Sequence, residues 1–270
     1  MNYKRAAQQF VYEGFCHIPI YVGRVEEAQQ AFKNLFSSLV PNEDAHGTRK
    51  GERDPDVGLI RKTKSLGGDD KWFFHVAADM KMWLSRHALT EFEKHREDLK
   101  VLSYFKRLAR DEMMKISSSI ENELDLASGT LSRSIMACSH NNMRYSVNTL
   151  RGLFYETGPE QTGAKPHIDR NLLTGHLGDE GGELQVMIDG NWQSVSPAPG
   201  QMLVFAGAKM LWLTEGRIPP LLHRSITHEG EDRRAMVFFS QADIGFYPHT
   251  AQEIVGEFYE RNPEIQSAVS

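Results

Sequence analysis

The chain has 270 residues, 40% hydrophobic and 25% charged, ordinary proportions for a soluble globular protein able to bury a sizeable core. Its formal charge of −5, with both signs interspersed, gives no electrostatic basis for binding nucleic acid. Two cysteines, Cys16 and Cys138, are too few for a disulfide framework, and no apolar run approaches the roughly 20 residues that span a bilayer. The N-terminal stretch lacks an apolar signal core, so the expected location is cytoplasmic. The length suits one domain over 1–270: a mainly helical part (1–147), a core (148–245) and a C-terminal tail (246–270).

Along the chain, residues 8–20 predict a helix end, a glycine break and a short apolar strand. A helix opens at Val22–Arg24 and runs to about Leu39, with Val25, Ala28, Phe32, Leu35, Phe36 and Leu39 forming a core-facing stripe. Residues 41–70, rich in Gly, Asp, Lys and Arg, predict mostly loop, a candidate lid or pocket wall. Lys71–Val76 is an aromatic cluster that either anchors that loop or reaches the active site. Residues 86–98 are polar and predict solvated helix or turn. From Leu99 to Leu126 apolar residues recur every three or four positions, the longest expected helix and a buttress, with Ser128-Gly129 as its stop signal.

After Asn148 the hydrophobic period changes to two. Thr149–Glu156, Lys165–Asp169, Leu172–His176, Glu183–Ile188, Trp192–Val195, Gln201–Phe205, Leu221–Thr227 and Ala235–Gln241 predict short strands. Asp189-Gly190 is a hairpin-turn signal. About eight strands with no room for crossover helices predict an antiparallel double-sheet jelly roll, a cupin-like double-stranded β-helix. With the helices preceding it, the fold class is α+β.

His167 and Asp169 form an H-x-D pair; on a strand they point to the same face and can grip one ion. A second imidazole from a later strand, His223 in Leu-Leu-His-Arg-Ser, completes two nitrogens and one carboxylate on one side of a metal. That donor set with open positions opposite suits non-haem Fe(II). Other polar candidates have plainer readings. His228 sits in a turn context and reads as solvated, His176 as buried with a satisfied ring, and His249 lies in the tail. Cys16 and Cys138 read as inert small apolar residues. Arg170 is either an anchor for a substrate carboxylate or, the commoner case, a surface salt-bridge partner.

These residues resemble the isopenicillin N synthase-like branch of the Fe(II)/2-oxoglutarate-dependent dioxygenases. The resemblance is carried by Leu150–Tyr155, Pro166-His167-Ile168-Asp169, Leu172-Leu173-Thr174, Gly182–Val186 with Asp189–Trp192, Pro199-Gly200, Thr214–Arg217 and His223-Arg224-Ser225. The 56-residue separation of His167 and His223 also resembles that branch. Arg233, followed by Val237-Phe238-Phe239, stands where the family has R-x-S. Two positions depart: Ala235 replaces the serine, whose hydroxyl helps hold the co-substrate carboxylate, and Ala208 replaces an aspartate after Gly207.

The resemblance implies a soluble enzyme that uses Fe(II), 2-oxoglutarate and O2 to hydroxylate, desaturate or cyclise a small-molecule metabolite, releasing succinate and CO2. The metal ligands would be His167, Asp169 and His223. Arg233 would hold the distal carboxylate of 2-oxoglutarate, since adjacent strand residues face opposite sides and Arg234 would be a surface charge. Tyr155 either donates a hydrogen bond to the co-substrate or fills the sandwich interior. Two alternatives stand beside this reading: an oxidase of the isopenicillin N synthase type that uses O2 without 2-oxoglutarate, Arg233 binding the substrate's own carboxylate, and a non-catalytic cupin-like metal-binding sensor.

Overall fold

The computed structural model describes residues 2–41, 57–62, 69–77, 94–138, 148–157, 163–242, 251–263 and 266. Helix α1 (Tyr3–Glu13) begins where the Asn2 side chain accepts from the Lys4 backbone N–H, and ends at Gly14, whose φ of 77° turns the chain into β1 (Phe15–Pro19). Helix α2 (Val22–Leu39) buries the expected stripe, including Val25, Ala28, Phe32, Leu35 and Leu39. The long helix predicted over 99–126 is α3 (Arg96–Glu123), and it buries Leu99, Leu102, Phe105, Ala109, Met113, Ile116 and Ile120 against α1 and α2. After it, the Glu121 carboxylate accepts from the backbone N–H groups of Gly129, Leu131 and Ser132, which seats the short helix α4 (Ser132–Ala137).

Part of the expected loop at 41–70 is sheet. β2 (Val57–Lys62) pairs antiparallel with β3 (Lys71–Val76), and β3 pairs with β4 (Thr149–Tyr155). The charged residues that suggested loop, Arg61 and Lys62, sit at one end of an edge strand, where polar side chains reach solvent without cost. The rest of the candidate lid, 42–56 and 63–68, lies outside the described residues, as do 86–93 and His249.

The remaining strands are β5 (Leu173–Glu180), β6 (Gly182–Ile188), β7 (Asn191–Ser194), β8 (Gln201–Ala206), β9 (His223–Thr227) and β10 (Arg233–Ser240), with helix α5 (Ala208–Leu213) between β8 and β9. They form a seven-stranded sheet in the order β1-β8-β5-β10-β4-β3-β2 and a three-stranded sheet in the order β7-β6-β9, all paired antiparallel. This is the expected jelly-roll core with helices on one face. Asp189 and Gly190 both have positive φ, 48° and 77°, as the tight β6–β7 hairpin requires.

The Lys165–Asp169 strand is a correction. Only His167 pairs, as an isolated bridge to His223, while Ile168 and Asp169 lie in irregular backbone. Asp169 instead gives its carbonyl to the Ala208 N–H at 2.8 Å, so the chain leaves the ladder after one residue. The tail contains helix α6 (Ala251–Arg261), whose Phe258 is buried against Ile168 and Leu222.

Side-chain alternation divides the large sheet. Leu150, Phe154, Leu173, Met236 and Phe238 join the main core beneath the helices. A Cβ on Gly152 would lie 2.5 Å from Phe32 of α2, and one on Gly175 the same distance from Met113 of α3, so these glycines let the helices settle onto the strands. The opposite face, toward the small sheet, holds the site.

Candidate metal centre

A cavity of about 1410 Å³ opens between the two sheets, lined in alternation by Thr149, Arg151, Leu153 and Tyr155 of β4, by His223, Ser225 and Thr227 of β9, and by Arg233, Val237 and Phe239 of β10. His167, Asp169 and His223 meet on its wall. One potential donor atom from each lies within 4.8 Å of the others, the one such grouping among the described residues. His167 Nε2 is 3.8 Å from Asp169 Oδ1, and His223 Nε2 is 3.8 Å from Asp169 Oδ2. The two histidines are brought together by the bridge itself: His167 N–H donates to the His223 carbonyl at 2.9 Å and His223 N–H returns the bond at 3.0 Å.

Each imidazole is held in the tautomer a ligand needs. His167 Nδ1 lies 2.6 Å from the Lys165 carbonyl and His223 Nδ1 lies 3.0 Å from that of Leu221. A carbonyl only accepts, so both Nδ1 atoms carry the proton and both Nε2 lone pairs face Asp169. Burial, and then the neighbouring His167 ring, push His223 down to about 4, which keeps it neutral. Burial would raise the Asp169 carboxyl, but the two imidazoles and a hydrogen bond from Thr174 Oγ1 at 2.5 Å hold it below the usual range. Thr174 is itself held by Asn171 Nδ2 at 3.0 Å. The sequence shows Thr174 only as the end of the Leu172-Leu173-Thr174 run and gives neither it nor Asn171 a role, although a threonine inside an apolar strand is a visible signal.

The second feature is Arg233, 2% exposed and on the cavity face. Its Nη2 is ion-paired with the equally buried Asp179, and its guanidinium lies 5.0 Å from the centre of the Tyr155 ring. Nε and Nη1 are buried with no hydrogen-bond partner among the described residues. Arg234 points away, partly exposed beside Asp232 and over Phe154. Tyr155, 4% exposed, accepts a hydrogen bond from Lys71 Nζ at 3.1 Å, and Lys71 is paired to Asp69 at 2.8 Å. Lys71 and Asp69 had no motif to reveal them; the β3–β4 pairing puts them here. His228 is exposed, Cys16 and Cys138 are buried, and Arg170 is exposed at the cavity rim.

Asp179 carries a stability prediction. Burial would raise its carboxyl, but His176 and Arg233 outweigh that and hold it at about 2. A folded value below the unfolded one of about 3.9 means stability present in full above that value and lost as the pH falls through about 2. Part of the cost of Asp179→Asn, about 2 kcal/mol, is therefore pH-dependent and should shrink by about half between pH 7 and pH 3. Urea denaturation of both proteins at the two pH values measures it, and a pH-independent difference would contradict this assignment.

Comparisons with known proteins bear on the same region. Residues 137–242 match the family model of the 2OG-Fe(II) oxygenase superfamily. Gibberellin 20 oxidase 2 of Oryza sativa subsp. indica is 32% identical over 151 residues, covering 55% of this chain and 34% of that protein. The chain thus spans about a third of the length of the first curated relatives it matches. Among solved structures, JOX2 in complex with 2OG, Fe and JA superposes with a TM-score of 0.69 at 17% identity, covering 98% of this chain and 85% of that one. The dioxygenase for auxin oxidation (DAO) in rice also gives a TM-score of 0.69, at 16% identity, covering 98% of this chain and 89% of that one. Jelly-roll fold and family match coincide on the segment that holds the two histidines, the aspartate and the buried arginine, and over residues 137–242 the chain is similar to the 2OG-Fe(II) oxygenase superfamily.

Proposed function

We propose that this chain is a non-haem Fe(II)- and 2-oxoglutarate-dependent oxygenase that hydroxylates, desaturates or cyclises a small molecule, with His167, Asp169 and His223 as the metal ligands. The observation that carries the reading is the convergence of two Nε2 lone pairs and one carboxylate within 4.8 Å, each imidazole locked by a carbonyl behind it. Two neutral imidazoles and one carboxylate, with the cavity opposite, are the donor set and open side that Fe(II) oxygenases use. The buried N–H groups of Arg233 fit a carboxylate entering from the cavity, because a guanidinium offers five N–H donors in a planar fork.

When bound, the metal supplies the O2 chemistry, coupled to decarboxylation of 2-oxoglutarate to succinate. The chain's own residues bind and orient. Thr174 keeps Asp169 turned toward the histidines, Arg233 receives the distal carboxylate, and Lys71 fixes the Tyr155 hydroxyl. Among the described residues no helix is long and apolar enough to cross a membrane.

The test is O2 uptake and succinate release with Fe(II), with and without 2-oxoglutarate, across a panel of small metabolites. Turnover requiring both is expected. One observation favours a second reading: Arg233 is already ion-paired with Asp179 and Ala235 brings no hydroxyl, so the arginine has less to offer a co-substrate. O2 uptake that needs Fe(II) and substrate but not 2-oxoglutarate would select the oxidase instead. Fe(II) binding with no uptake on any substrate would select the metal-binding sensor.

A further inference from the structure

Resting on the reading of Arg233 as a carboxylate-binding residue, we propose that His176 and Asp179 are positioning residues that fix which N–H groups Arg233 presents to the ligand. The three side chains form a buried line from β5 to β10. His176 Nε2 lies 2.6 Å from Asp179 Oδ2, and Asp179 Oδ1 meets Arg233 Nη2, with His176, Asp179 and Arg233 side chains each 2% exposed. Asp179 is ionised and can only accept, so His176 Nε2 carries the proton and donates it to the carboxylate.

Asp179 is the one polar partner of the guanidinium among the described residues; the Tyr155 ring also lies near it, and the stem passes Gly182. The Tyr155 ring lies 5.0 Å from the guanidinium, but a π-face accepts from no particular N–H and so does not decide which N–H groups are paired. The carboxylate decides it by claiming Nη2, and Nε and Nη1 remain to meet a ligand. A glycine at 182 leaves room for both the strand pairing and the stem, since a Cβ there would lie 2.3 Å from the Ile226 carbonyl oxygen and 2.5 Å from Arg233 Cδ. Asp179 in turn would swing about its own side-chain bonds without His176 on its second oxygen. His176 acts on the ligand only through Asp179 and Arg233.

The experiment is anaerobic calorimetric titration of the Mn(II)-loaded full chain with two ligands: 2-oxoglutarate, and pyruvate, a 2-oxo acid without a distal carboxylate. The variants are His176→Leu, which fills the space without a donor, and His176→Gln, whose amide N–H can replace the imidazole N–H. His176→Leu should weaken 2-oxoglutarate about tenfold and leave pyruvate unchanged, as expected for loss of one hydrogen bond to a charged group. His176→Gln should stay within about twofold of the parent for both ligands. Equal weakening of the two ligands by His176→Leu would mean general damage and overturn the proposal. Gln as harmful as Leu would mean that the ring itself touches the ligand, and would also overturn it. Arg233→Ala separates this failure from that of the functional reading. If the parent protein itself does not prefer 2-oxoglutarate to pyruvate, the reading of Arg233 fails and the proposal with it. If Arg233→Ala abolishes that preference while His176→Leu keeps it, the positioning role alone is wrong.

Discussion

Asp169→Ala is expected to abolish iron-dependent turnover and to lower Fe(II) affinity by more than about 100-fold, with His167→Ala and His223→Ala behaving alike. The magnitude follows from a comparison within the site. Removing a partner that only orients a metal ligand costs roughly 10–100-fold in affinity. Thr174→Val, which deletes the hydroxyl at 2.5 Å from Asp169 and keeps the ligand, should fall in that range. Deleting the carboxylate removes the anionic donor itself and leaves two neutral imidazoles facing a divalent cation, so its effect must exceed the threonine's. Equilibrium dialysis against Fe(II) under anaerobic conditions reads both, and far-UV circular dichroism reports whether each variant is folded. His223 is the variant with the larger structural risk, since its ring is buried against Phe205 while His167 is 40% exposed. Wild-type iron affinity in a folded Asp169→Ala protein would remove that residue from the centre.

Arg233→Ala should raise the concentration of 2-oxoglutarate needed for half-saturation by about two orders of magnitude, each tenfold being roughly 1.4 kcal/mol. Truncating one partner of a buried, charge-assisted pair typically costs on the order of 2–5 kcal/mol, and part of that falls on stability rather than on binding. Here that share is substantial, because the truncation strands the Asp179 carboxylate in the interior. The double variant Arg233→Ala/Asp179→Asn removes the stranded charge and keeps the binding measurement interpretable if the single variant does not fold. Arg234→Ala is the internal control. Its ion pair with Asp232 is about one-third exposed on both sides, where such pairs contribute roughly 0–1 kcal/mol, so 2-oxoglutarate binding should hardly change. Ala235→Ser, restoring a hydroxyl on the cavity face beside Tyr155, should tighten 2-oxoglutarate modestly. If Arg233→Ala weakens only the primary substrate, the oxidase reading is the correct one.

The strongest features of this chain are periodic or covalently local, and these were legible in the sequence. The 3.6-residue stripe of α3 and the Asp189-Gly190 turn declare themselves in consecutive residues, because helix and hairpin obey local rules. The H-x-D pair and the distant histidine were readable as candidate donors, and strand parity puts Arg233 and Arg234 on opposite faces, although Asp169 itself lies off the strand. What the chain could not disclose depends on long-range pairing. Asp169 leaves the ladder after His167 because its carbonyl is claimed by Ala208, 39 residues later. The charged composition around Arg61 suggested loop, yet the segment is an edge strand because β3 was there to pair with it. Lys71 reaches Tyr155, and Asp179 reaches Arg233, only when strands far apart in sequence lie side by side. Such contacts join residues whose separation carries no period. The sequence by itself determined the candidate donor types, while tertiary structure alone decided which buried charges meet, because pairing energy depends on proximity in space and not on order along the chain.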